Sequence, residues 1–62
     1  MDYNSLVALK NKLVRFKNEN TKALHGDVWL CGELTGVMSY IVSIDDIPYS
    51  RVELEVEEIK NG

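Results

Sequence analysis

The chain has 62 residues, 45% of them hydrophobic, and a net charge of −3. That length holds one domain, residues 1–62, and at this size folding hides only about 60% of the surface that the unfolded chain exposes. With one cysteine, Cys31, an internal disulfide is excluded, and with one histidine, His25, so is a closed four-ligand zinc site.

No cofactor or metal is therefore expected, and a protein partner or a homo-oligomer becomes the natural supplement for so small a core. One proline and four glycines in an apolar chain argue for a folded protein rather than a disordered tail. No stretch approaches the roughly 20 apolar residues of a membrane span. The start "MDYNSLVALK" carries an acid and lacks the apolar segment of a signal peptide. The expectation is a soluble cytoplasmic protein without membrane contact. Charge divides unevenly along the chain. Residues 1–26 hold five cations, Lys10, Lys12, Arg15, Lys17 and Lys22, against two acids, a net +3. Residues 27–62 hold two cations against eight acids, a net −6.

In chain order, Leu6, Leu9, Leu13 and Phe16 recur at spacings of three and four and predict one apolar stripe on a helix, widened by Val7 and Val14. Asp2, Asn4 or Ser5 caps its start, and Gly26, after His25, stops it. The run "NENT", Asn18 to Thr21, interrupts the stripe with poor helix formers and marks where the helix weakens or ends.

After Gly26 the period changes to two, and "DVWLCGEL", "VMSYIVSI" and "RVELEVEEI" read as three strands. Thr35-Gly36 suits a tight hairpin between the first two, and "DDIPYS" is a longer turn before the third. The expected fold class is thus α+β, one N-terminal amphipathic helix followed by a three-stranded antiparallel β-meander. With a two-residue Thr35-Gly36 loop, Val28, Leu30, Val37 and Ile41 share one face, and Trp29, Cys31, Met38, Tyr40, Val42 and Ile44 the other. Both faces of that hairpin are then apolar, and one helix covers only one of them. The parity of the "DDIPYS" loop decides which face receives Glu53, Glu55 and Glu57, and the sequence leaves it open.

The acidic alternation "RVELEVEE" is the densest cluster of titratable groups. Paired carboxylates serve glycoside hydrolysis and metal binding, but on one exposed strand nothing raises a pKa and no further ligand converges. Two readings remain: an edge insulated by like charges, or a carboxylate row that meets a partner protein with a basic surface. Trp29, Tyr40 and Tyr49 are the aromatic residues that an interface would use as anchors. The candidate partner-binding set is accordingly Trp29, Tyr40, Tyr49, Glu53, Glu55 and Glu57. Cys31, with no neighbour to activate its thiol, reads as a small buried hydrophobe.

The expected role is non-catalytic: a small protein-binding regulator or inhibitor, docking through an apolar and acidic sheet surface. The alternative is a nucleic-acid-binding accessory protein using Lys10, Lys12, Arg15, Lys17 and Lys22. Against it stand the acidic remainder of the chain and the lack of a glycine-rich or helix-turn-helix pattern.

Overall fold

The computed structural model describes residues 2–59. It has two short helices and a five-stranded antiparallel sheet, in the order α1 (Tyr3–Ala8), β1 (Leu13–Lys17), α2 (Glu19–His25), β2 (Leu30–Val37), β3 (Ile41–Ile44), β4 (Ile47–Ser50) and β5 (Glu55–Glu58). The expected single amphipathic helix with a three-stranded meander is therefore corrected: strands run β4-β3-β2-β1-β5 across the sheet, and the last strand pairs with the first.

The correction begins at residue 9. Of the three candidate caps it is Asp2 that caps α1, accepting the Ser5 N–H, but the helix ends with Leu9 as its C-cap, and Asn11 enters the left-handed region at φ 70. Asparagine tolerates that conformation better than most residues. From there the backbone turns to another strand: Asn11 N–H donates to Leu34 O at 2.7 Å, and Leu34 N–H to Lys12 O at 3.0 Å. In "LVRFK" the alternation of Val14 and Phe16 inward with Leu13, Arg15 and Lys17 outward is the period that counts. Leu13 belonged to the helical stripe by spacing, yet its side chain stands largely exposed.

"NENT" is a start signal rather than a weak point. Asn18 accepts the Thr21 N–H at 2.8 Å while its own N–H donates to Thr21 Oγ1 at 2.9 Å, a reciprocal capping box. Gly26 does stop the second helix, at φ 86, with its N–H on Lys22 O.

Thr35-Gly36 is no turn. It lies inside β2, where Leu34 pairs with Ile44 but Gly36 pairs with Ser43, so Thr35 is the extra residue of a β-bulge. Without it, Leu34 and Val37 would point to opposite faces; with it, Leu34 is fully buried and Val37 packs against the same core. The real hairpin loops are Ser39-Tyr40, where Met38 N–H bonds Ile41 O, and Asp45-Asp46, closed by the Ile44–Ile47 pair. Both aspartates have positive φ, 52 and 64, as a type I′ turn requires.

Half of β2, Leu30 to Glu33, pairs with β1, and the other half pairs with β3. The sheet curls about this strand. Three inter-strand steps of about 4.8 Å would set β1 and β4 roughly 14 Å apart in a flat sheet, yet the rings of Phe16 and Tyr49 lie 5.1 Å apart. Inside the curl are Val14, Phe16, Leu34, Val42, Ile44, Leu54 and Val56, closed over by Leu6 and Leu9 from the N-terminal segment.

Candidate interaction surfaces

The antiparallel register places Arg15 opposite Glu57 and Lys17 opposite Glu55 on the outer face of the sheet. Three of the four carboxylates of "RVELEVEE", Glu55, Glu57 and Glu58, meet cations of the same chain. Arg15 Nε and Nη2 both donate to Glu57 Oε2. Lys22 Nζ lies 3.4 Å from Glu55 and 3.7 Å from Glu19, Lys12 Nζ lies 3.6 Å from Glu58, and Lys17 Nζ lies 3.0 Å from Asp27. Glu55 raises the Lys22 pKa above its ordinary value by hydrogen bonding, and Lys17 lowers that of Asp27 in the same way. The split between a basic and an acidic half is thus largely consumed within one molecule.

Trp29 belongs to this face. It is half-buried, with the Arg15 guanidinium 4.8 Å and the Lys17 ammonium 4.5 Å from its ring centroid. Glu57 and Asp27 hold those two cations in turn, so the indole is covered by side chains rather than presented for stacking. Cys31, opposite Arg15 on the same face, is exposed rather than buried, because this parity turns Cys31 and Glu33 outward while Gly32 and Leu34 point in.

A second surface lies at the tip of the β2–β3 hairpin. Met38 is 66% and Tyr40 77% exposed, Ile41 is exposed beside them, and the three with Ser39 line an open apolar groove of about 370 Å³. Arg51 fixes the tip: its N–H donates to Tyr40 O at 2.9 Å and its Nε to Ser39 O at 2.7 Å. That clamp brings the turn of residues 51–53 alongside, including Val52, which is also 77% exposed.

The six residues expected to bind a partner are thus divided among three places. Glu55, Glu57 and Trp29 share the outer face; Tyr40 and Glu53 stand at the hairpin tip and its adjoining turn; Tyr49 points into the curl against Phe16 and is half-buried. Met38, Ile41, Arg51 and Val52 complete the tip and were not in the expected set. The available signal was an aromatic residue next to Ser39 between two large apolar residues, a poor composition for a buried strand centre but a plausible exposed turn.

Among the described residues no group of three His, Cys, Asp or Glu side chains is placed to hold a metal, and no helix is long and apolar enough to cross a membrane. Comparison with protein-family models, curated proteins and solved structures finds no match to this chain.

Proposed function

We propose that the protein is a small non-catalytic binding protein that docks through the β2–β3 hairpin tip. The carrying observation is the groove lined by exposed Met38, Tyr40 and Ile41, clamped by the two Arg51 hydrogen bonds, with exposed Val52 next to Arg51 in the adjoining turn. Isolated apolar residues on a surface are ordinary, but three lining one groove on a clamped hairpin form the kind of centre from which protein interfaces draw affinity. The groove lacks the converging charged groups by which a small-molecule site orients its ligand, since its lining is apolar apart from Ser39.

The acidic strand is not the docking element in this reading, because Glu55, Glu57 and Glu58 each already face a cation. The same pairing weighs against a nucleic-acid role: Lys12, Arg15, Lys17 and Lys22 are opposed by carboxylates, which leaves Lys10 alone of the five outside an ion pair among the described residues.

A photo-crosslinking amino acid at position 40, expressed in the native cell, tests the proposal. The control carries it at position 24, since Leu24 is equally exposed but stands alone on α2. A defined protein adduct from position 40 and none from position 24 is expected; equal labelling at both positions overturns the reading. Tight binding of nucleic acid, steeply weakened by salt in an anisotropy titration, would replace it with the alternative.

A further inference from the structure

The occupant of the tip follows from which surfaces are closed to association. Both free edges of the sheet carry obstacles to pairing with another strand. On β4 the ladder bonds to β3 alternate from the Arg51–Tyr40 bond, so the outer edge presents Pro48 and Ser50, and Pro48 has no N–H to donate. On β5 three of the four residues, Glu55, Glu57 and Glu58, are charged, which blunts that edge against a further strand.

The tip has no such obstacle. At its margin stand one cation and one acid, Arg51 and Glu53, and neither has an ion-pair partner among the described residues. Asp2 feels the Arg51 charge, but its carboxylate is engaged with the Ser5 N–H.

We propose that the hairpin tip docks onto the tip of a second copy of this chain about a two-fold axis. Met38, Tyr40, Ile41 and Val52 of both copies form the shared centre, and Arg51 of each copy faces Glu53 of the other. A two-fold interface requires one patch to complement itself. An apolar centre with one unmatched charge of each sign at its margin does so, whereas a strongly basic or acidic partner would find no net charge there to read.

This inference rests on the tip being the docking surface and names what docks. Four partly exposed side chains amount to on the order of 400 Å² per copy, about half of a standard interface. The dimer therefore belongs to the transient class and forms over a range of about 10 μM to 1 mM.

Sedimentation equilibrium of the full chain across that range is the test, with Tyr40→Asp and Glu53→Arg as variants and far-UV circular dichroism to show that both are folded. The expected result is a weight-average mass that rises toward twice the monomer for the native chain. Glu53→Arg should weaken association roughly fivefold by setting it against Arg51 of the other copy, and Tyr40→Asp should stay monomeric. A native chain that remains monomeric at 1 mM, or a dimer indifferent to both substitutions, overturns the inference. The crosslink at position 40 separates this from failure of the docking reading: an adduct with a different protein leaves that reading standing and removes the second copy.

Discussion

Replacing Gly32 by alanine tests the sheet geometry most directly. A Cβ at Gly32 would lie 2.6 Å from Ile44 Cγ2 and 2.7 Å from Asp45 Oδ2. Neither neighbour yields easily. Ile44 is wholly buried, and the Asp45 carboxylate accepts the Glu33 N–H at 3.0 Å while its own N–H donates to Glu33 O. Forcing a methyl group into such a site costs about 1–3 kcal/mol, and losing the Asp45–Glu33 bond adds about 1 kcal/mol.

A domain of this length holds roughly 3–9 kcal/mol in total. With a urea slope near 1 kcal/mol per molar, the midpoint of Gly32→Ala should fall by about 2–4 M, read by Trp29 fluorescence and far-UV circular dichroism together. Two other glycines provide the comparison. At Gly36 the nearest neighbours of an added Cβ, Ser43 Cβ and Oγ, are at ordinary contact distances of 3.7 and 3.8 Å, so Gly36→Ala should be neutral or stabilising by up to about 1 kcal/mol. At Gly26 there is open space but φ is 86 and ψ 179, so alanine should cost about 1–3 kcal/mol through the backbone alone. If Gly32→Ala matches Gly36→Ala, the Asp45 turn does not pack over β2 and the assigned β2–β3 arrangement is wrong.

Three further outcomes follow from the turns and the ion pairs. Thr21→Val keeps the shape but leaves the Asn18 N–H without its acceptor in a buried cap, and should lower stability by about 1–2 kcal/mol in urea titration; an unchanged midpoint would show that the cap is idle. Asp46→Gly relieves a positive φ of 64 in the type I′ turn while keeping the backbone N–H that bonds Thr35 Oγ1, and should stabilise by about 0.5–1 kcal/mol; a loss would mean that the Asp46 side chain has a role of its own.

The third outcome concerns pH. Asp2, through its hydrogen bond to Ser5, and Asp27, through Lys17, sit below the ordinary value of 3.8, so their contribution is complete above that value and is lost as pH falls through the folded values. Lys22 sits above 10.5 because of Glu55, so its contribution is complete below 10.5 and is lost as pH rises past its folded value. Urea midpoints should be level from about pH 5 to 9 and fall on either side. Stability rising below pH 4 would contradict the sign.

Much local structure was legible in the chain, and some of it was legible in two ways. Asp2 as a cap, Gly26 as a stop and the change to period two after it were readable because each depends on residues within a turn of one another. "LVRFK" satisfied a helical stripe through Leu13 and Phe16 and a strand alternation through Val14 and Phe16; the choice belonged to β2 and β5, which flank it on either side. "NENT" was poor as a helix interior for the same reason that it is good as a helix start: short polar side chains that bond nearby backbone. The acidic alternation was plain, but its meaning waited on a partner strand 42 residues away, where Arg15 meets Glu57.

Composition and local pattern alone establish a small chain with neither an internal disulfide nor a closed zinc site of its own, the cap that opens the helical half and the glycine that closes it, and the alternation that gives a strand a wet and a dry side. These depend on composition and on neighbours along the backbone. Only the tertiary structure decided the number of strands, the bulge at Thr35 that turns Leu34 and Val37 to one face, and the crossing that sets the last strand beside the first. Pairing across the sheet joins residues that no local period relates, and a single extra residue reverses every side chain beyond it. The β1–β5 pairing sets the acids against cations, and the bulge turns Val37 to the same core as Leu34.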